Sequence, residues 1–228
     1  MLFVFEAVLV SSQEVEPINT DRPDQSDGTY ILTKNNFQVE NGAFWDKESV
    51  LNNLMVRYGV TKSTELRILV DAGKVTDNRG VLPIGFSFKQ RIIHQNKFIP
   101  AITLVGYYRN EQLASRIFSS SNYNYFLNIA FQNDLSDKWS VGYNAGTTEI
   151  GNNLIYTTSF VFSPKEQIMI FWEYFARFER GFNPQHNTDA GVMYIINKKF
   201  QLDVAFATSF FRDEVYQFAT AGFSYRFK

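Results

Sequence analysis

The chain has 228 residues, enough for one domain or one mid-sized barrel, and 22 Lys+Arg against 23 Asp+Glu leave no basic face for nucleic acid. Its 23 Phe and 12 Tyr are spread along the whole length, yet no run of about 18 apolar residues exists, which excludes a helical membrane protein. The absence of Cys excludes disulfides, thiol catalysis and thiolate metal sites together.

Residues 1–12, from Met1 to Ser12, read as the apolar core of a signal peptide, with cleavage near Ser12 or Gln13. No Lys or Arg precedes this run and Glu6 interrupts it, so an N-terminal strand or helix is the competing reading. Residues 13–35 are polar, and Thr20-Asp21-Arg22-Pro23-Asp24-Gln25-Ser26-Asp27-Gly28 carries the chemistry of irregular chain.

From Asn36 to the end the texture is alternation, with segments separated by turn residues. The expected strands are 36–44, 49–60, 64–72, 81–93, 98–108, 122–133, 138–148, 153–163, 167–179, 187–196, 200–210 and 216–227. Their length suits a tilted strand crossing a bilayer, about 9–11 residues, rather than the roughly 5–6 of a soluble sheet. Alternation is clean where Trp139, Val141, Tyr143 and Ala145 oppose Ser140, Gly142, Asn144 and Gly146. It is equally clean where Leu127, Ile129 and Phe131 oppose Phe126, Asn128, Ala130 and Gln132.

Every second link is short (Thr61 to Ser63, His94 to Lys97, Asp134 to Asp137, Ser163 to Glu166, Asn197 to Lys199). The others are longer, notably 73–80, 109–121 and 180–186. Short turns at one end and longer loops at the other mark an outer-membrane barrel. The expected fold is therefore all-β, a transmembrane antiparallel barrel of about 12 strands over residues 36–228. A short N-terminal segment precedes it, and both termini are expected in the periplasm of a Gram-negative cell. A soluble barrel or sandwich is the alternative, but it exposes aromatic rings on nearly every strand.

The stretch Ile18-Asn19-Thr20-Asp21-Arg22-Pro23-Asp24, followed by Asn36-Phe37-Gln38-Val39-Glu40-Asn41-Gly42 and by Arg57-Tyr58-Gly59-Val60-Thr61-Lys62-Ser63-Thr64-Glu65-Leu66-Arg67, resembles a known family. It is similar to the outer-membrane barrels of the meta-pathway phenol-degradation transporter family, relatives of the fatty-acid and aromatic-hydrocarbon channels. The resemblance implies a barrel that passes hydrophobic or aromatic compounds. The C-terminal Phe223 to Phe227 is similar to the strand signal read by barrel-assembly machinery, although Lys228 follows the final aromatic.

With apolar partners facing lipid, the charged residues fall inside, because Arg or Lys on the lipid face at mid-depth costs about 2–4 kcal/mol. The periplasmic half of the lumen then carries Arg57, Glu65, Arg67, Lys89, Arg91, Asp203 and Arg226. The outer half carries Asp71, Glu173, Arg177, Glu179 and Asp189, with Phe126, Phe171, Phe175 and Met193 as inward apolar contacts. These are the candidate pore-lining residues; interior ion-pair ladders that stiffen the barrel are the alternative reading. Asp21, Arg22 and Asp24 are the candidate plug residues, in an acidic segment that with Asp27 could fold into the basic lower lumen; Arg22 is expected to seek Glu65 or Asp203, and a disordered periplasmic leader is the alternative. His94 and His186 are placed in links on opposite sides of the membrane, and Ser119, Ser120 and Ser121 in another loop, so a Ser/His enzyme has little support. No catalytic residue, metal site or cofactor is expected. The expected partners are outer-membrane lipid, barrel-assembly machinery and an unidentified small solute. Function reads as passive diffusion of small, hydrophobic or aromatic compounds. A structural or surface-interaction barrel with a closed lumen is the alternative, and an outer-membrane lipid hydrolase a remote one.

Overall fold

A computed structural model of the chain describes residues 17–119, 125–148, 150–211 and 215–227. The expected signal peptide over residues 1–12, the first residues of the leader, and Ser120 and Ser121 lie outside the described residues. Thirteen strands follow in chain order: β1 (Phe37–Asp46), β2 (Ser49–Gly59), β3 (Thr64–Val75), β4 (Asn78–Val81), β5 (Ile84–Ile93), β6 (Ala101–Asn110), β7 (Tyr125–Asp134), β8 (Trp139–Thr147), β9 (Asn153–Lys165), β10 (Ile168–Glu179), β11 (Gln185–Asn197), β12 (Phe200–Phe210) and β13 (Gln217–Phe227). Each pairs antiparallel with its neighbour, and β1 pairs with both β2 and β13, so the sheet closes on itself. Because β4 and β5 both pair with β3 and occupy one place in the wall, the barrel has 12 strand positions. Closure of β1 on β13 removes the open edges that the spanning strands would otherwise present, which is the condition for a sheet to sit in lipid.

Two sequence expectations need correction here. The segment 81–93 is not continuous: Leu82 and Pro83 separate β4 from β5, and a proline within a sheet cannot donate to the ladder. The link 73–80 is not a loop either, since β3 runs on to Val75 and returns as β4 through Thr76 and Asp77. Thr76 takes the left-handed conformation there, with φ 49°. Elsewhere the predicted segments match the described strands to within a few residues, residues 122–124 of the segment 122–133 lying outside the described residues. The long link after β6 holds two single 3-10 turns, Glu111–Leu113 and Arg116–Phe118.

Side-chain parity separates the two faces. Leu66 and Ile68 on β3, Val192 and Tyr194 on β11, and Leu202, Val204 and Phe206 on β12 point outward and are exposed. Their sequence neighbours Glu65, Arg67, Met193, Gln201 and Asp203 are buried. A barrel whose outside is apolar and whose inside is polar reverses the order of a soluble protein, and it is stable only with a lipid shell around it. Outward rings pair across strands near the short-turn end, Phe37 with Tyr58 and Trp139 with Phe162, each pair stacked at 4.5 Å. These fit the aromatic girdle expected at a membrane interface.

Candidate functional site

Residues 17–36 precede β1, and the stretch from Ile18 to Leu32 runs inside the barrel. Ile18, Ile31 and Leu32 are buried there, the last completely. Each side chain of that size contributes about 1.5–3 kcal/mol on leaving water. At Gly59 the segment passes so close that an added Cβ meets the Thr33 carbonyl oxygen at 2.3 Å, so only glycine fits. Asn35, with φ 63°, turns the chain out of the lumen and into β1.

The segment is tied down by charge. Asp21 accepts from Arg67 Nη1 at 2.7 Å and from Lys89 Nζ at 2.9 Å, and Arg57 Nη2 lies 3.7 Å away. Asp27 accepts from the same Arg67 Nη1 at 3.0 Å, from Asn128 Nδ2 at 2.8 Å and from the Tyr107 hydroxyl. Arg57 in turn donates to Glu40 at 2.6 Å and to Glu65 at 2.7 Å. The side chains of Arg57, Arg67 and Lys89 are fully buried, so three cations face four carboxylates, Asp21, Asp27, Glu40 and Glu65, away from solvent. Bidentate contacts of this kind are strong and orientationally specific. Backbone groups join in: Asp21 N–H donates to Glu40 Oε2 at 3.1 Å and Leu32 N–H to Glu65 Oε2 at 2.7 Å.

Arg22 lies across the β1/β13 seam. Its Nη2 donates to Asp203 Oδ1 at 3.1 Å and to Thr220 Oγ1 at 2.8 Å. The register partners Gly42 and Gly222 make the room for it. A Cβ added at Gly42 would lie 2.1 Å from Nη2, and one at Gly222 2.6 Å from it. A paired glycine notch in the wall is thus the seat of a guanidinium.

Between Asp21 and Asp27 the chain reaches across to the opposite wall. Gln25 N–H donates to Glu173 Oε2 at 2.7 Å, the Ser26 hydroxyl donates to Glu173 Oε1, and it lies 2.6 Å from Thr157 Oγ1. Asp27 N–H donates to Asn144 Oδ1 at 2.8 Å. Glu173 is the register partner of Asp189, also buried, so two carboxyl groups face each other across β10 and β11.

This crossing divides the lumen. On its long-loop side, along β7 to β11, lies a cavity of about 430 Å³ lined by Gln25, Phe126, Asn144, Ile155, Phe175 and Asn187 among others. On its short-turn side, against the same wall, a smaller cavity of about 130 Å³ is bounded by Asp24, Ser26, Asp27, Val161, Met169 and Met193. A third, of about 350 Å³, sits between Arg22 to Gln25 and the β1 to β3 wall.

The twelve charged residues read as pore-lining all take inward strand positions, but they divide into groups. Arg57, Glu65, Arg67 and Lys89 converge on the N-terminal segment, and Arg91 Nη2 reaches it by donating to Thr29 O at 3.0 Å. Asp203 holds Arg22, the partner chosen from the two expected. Asp71 pairs with Arg109 at 3.2 Å, and Arg177 with Glu179 at 3.1 Å, all partly exposed toward the long-loop end. Arg226 Nη2 donates to Lys198 O at 2.8 Å, away from the segment. Glu40, Tyr107, Asn128 and Asn144 belong to the cluster yet were not among the sequence candidates. Gln38 and Glu40 on alternate positions of β1 carried the parity signal that would have revealed Glu40. His186 corrects an expectation: it lies on β11 rather than in an exposed loop. It faces outward among Tyr174, Phe178 and Phe210, with Nδ1 2.7 Å from the Tyr174 hydroxyl.

Residues 20–227 match the profile of a family described as "Putative MetA-pathway of phenol degradation". No curated protein matches the sequence. Among solved structures, an outer-membrane channel from Pseudomonas putida F1 aligns with TM-score 0.66 at 11% identity, over 90% of this chain and 100% of that one. The KdgM porin aligns with TM-score 0.62 at 13% identity, over 84% and 99%. The CymD monoaromatic hydrocarbon channel aligns with TM-score 0.52 at 8% identity, over 85% and 88%. At such identities the likeness is one of fold, and that fold is the outer-membrane barrel.

Proposed function

We propose, since the chain belongs to the family described as "Putative MetA-pathway of phenol degradation", that it is an outer-membrane channel passing small hydrophobic or aromatic molecules by diffusion. The observation that carries this reading is the cavity of about 430 Å³ above the crossing. Its volume falls in the range of ordinary small-molecule sites, about 300–1,000 Å³, and a mostly apolar lining with a few convergent polar groups is what such sites share. Phe126, Ile155 and Phe175 offer surface to a ring, and the amides of Gln25, Asn144 and Asn187 offer hydrogen bonds to a hydroxyl or carbonyl on it. The name of one structural neighbour, a monoaromatic hydrocarbon channel, points the same way. The chain's termini are assigned to the periplasm, because the short turns then lie inside and the longer loops outside.

The test is ionic current through purified protein in planar bilayers with KCl, and its block by benzyl alcohol against xylose as a non-aromatic control. Block by the aromatic alone supports the proposal; equal effects of both solutes reject the aromatic specificity. Phe175→Trp, which fills the cavity, is expected to abolish the block. A sealed structural barrel is the second reading, favoured by the bonds that residues 21–27 make to both walls, and it predicts no current at all.

A further inference from the structure

Resting on the channel reading, we infer that residues 24–26 form a gate, hinged on feet that stay bound, whose tip leaves Thr157 and Glu173 to join the cavities above and below it along the β8 to β11 wall. The feet are Asp21 and Asp27, and they are tied to each other independently of the tip. One nitrogen, Arg67 Nη1, reaches both carboxylates, at 2.7 and 3.0 Å. The Gly28 N–H also donates to Asp21 Oδ1 at 3.2 Å, closing the base of the loop. Arg22, seated in its glycine notch, and Lys89 hold the same base.

The tip is held differently. Its bonds to the far wall are one backbone N–H and one hydroxyl on the Glu173 carboxylate, and a hydroxyl contact with Thr157. No cation takes part, whereas three buried cations secure Asp21 and Asp27. Neutral donors on a carboxylate hold it less strongly than the charge-assisted contacts to Arg67 and Lys89 hold the feet. The weakest fastening of the segment is therefore its tip. That tip is also what separates the two cavities: Gln25 lines the larger one, and Asp24 and Ser26 line the smaller one. Thr157 borders the upper cavity and Ser159 and Val161, next along β9, border the lower, so one strip of wall serves both. Lifting a short loop whose ends stay fixed breaks only the tip's bonds to Glu173 and Thr157, whereas expelling the whole segment would also break the ion pairs of Asp21 and Asp27. A solute in the larger cavity touches Gln25, which places it against the element that must move.

The chain has no Cys, so a disulfide can be placed at the tip alone. The hydroxyl oxygens of Ser26 and Thr157 are 2.6 Å apart, close to the roughly 2.05 Å of an S–S bond. Ser26→Cys with Thr157→Cys, oxidised and with the disulfide verified by mass spectrometry, is expected to lose its KCl current in planar bilayers and to regain it on reduction. Each single variant should be indifferent to oxidant. In a second arm, Ser26→Ala with Thr157→Val, which removes two of the tip's three fastenings, should lengthen open times, and unchanged open times would overturn the gate. Current that persists through the verified disulfide overturns the gate but leaves the channel standing. Absence of current in every protein, wild type included, overturns the channel and the gate with it.

Discussion

Asp21→Ala removes the carboxylate on which the N-terminal segment turns. In the wild type that group accepts from Lys89 at 2.9 and 3.1 Å and from Arg67 at 2.7 Å, with Arg57 at 3.7 Å. The three cations are not left equally exposed by its loss. Arg57 keeps Glu40 and Glu65, and Arg67 keeps Asp27, but Lys89 has no other carboxylate within 4.0 Å among the described residues. Deleting one partner of a buried pair costs about 3–5 kcal/mol, mainly through the charge left behind. The loss should therefore run through Lys89. Unfolding by denaturant in lipid vesicles, followed by the fluorescence of Trp45, Trp139 and Trp172, is the assay. Asp21→Ala is expected to lower stability by about 3–5 kcal/mol, or to release the segment and raise KCl current if the barrel survives without it. Asp21→Ala combined with Lys89→Met should recover part of the loss, with a coupling energy of about 1–3 kcal/mol. A single variant within about 0.5 kcal/mol of wild type, with unchanged current and no coupling to Lys89, would refute the anchor.

Further expectations concern other parts of the wall. Gly42→Ala places a Cβ 2.1 Å from Arg22 Nη2 and should destabilise by about 1–3 kcal/mol, with Arg22→Ala in the same protein relieving the clash. If the double variant is as unstable as Gly42→Ala alone, the notch has another purpose. Asp189→Asn replaces a buried carboxylate that faces Glu173 with an amide able to donate to it; it should raise the denaturant midpoint, because a like charge at close range is relieved. A lowered midpoint would mean that Asp189 has a partner its surroundings do not reveal. Val204→Arg, on an outward position at mid-strand, should cost about 2–4 kcal/mol in a bilayer. An equal stability there would show that this face does not meet lipid.

The barrel was legible in the residues because strand parity is a local property. Leu202, Val204 and Phe206 alternate with Gln201, Asp203 and Ala205, and only a wall with lipid on one side and a polar lumen on the other satisfies both rows. The same parity placed Arg57, Glu65, Arg67 and Lys89 inside, and the acidic 21–27 stretch suggested a counter-charge for them. The pairing itself was not legible. Asp21 meets Arg67 and Lys89 across separations of 46 and 68 residues, and Arg22 meets Asp203 across 181. Such contacts depend on the register in which the barrel closes, β1 against β13. The seat of Arg22 depends on Gly42 and Gly222 facing each other across that seam, 180 residues apart in the chain. The break at Leu82 and Pro83 and the hairpin from β3 to β4 had a local cause, but whether chain beyond the membrane folds back on its neighbour is decided by the strand beside it. Sequence alone thus determined which face of each strand is wet, since that follows from alternation. Only the closed tertiary structure decided which charges meet and where the segment crosses the lumen, since both follow from long-range register.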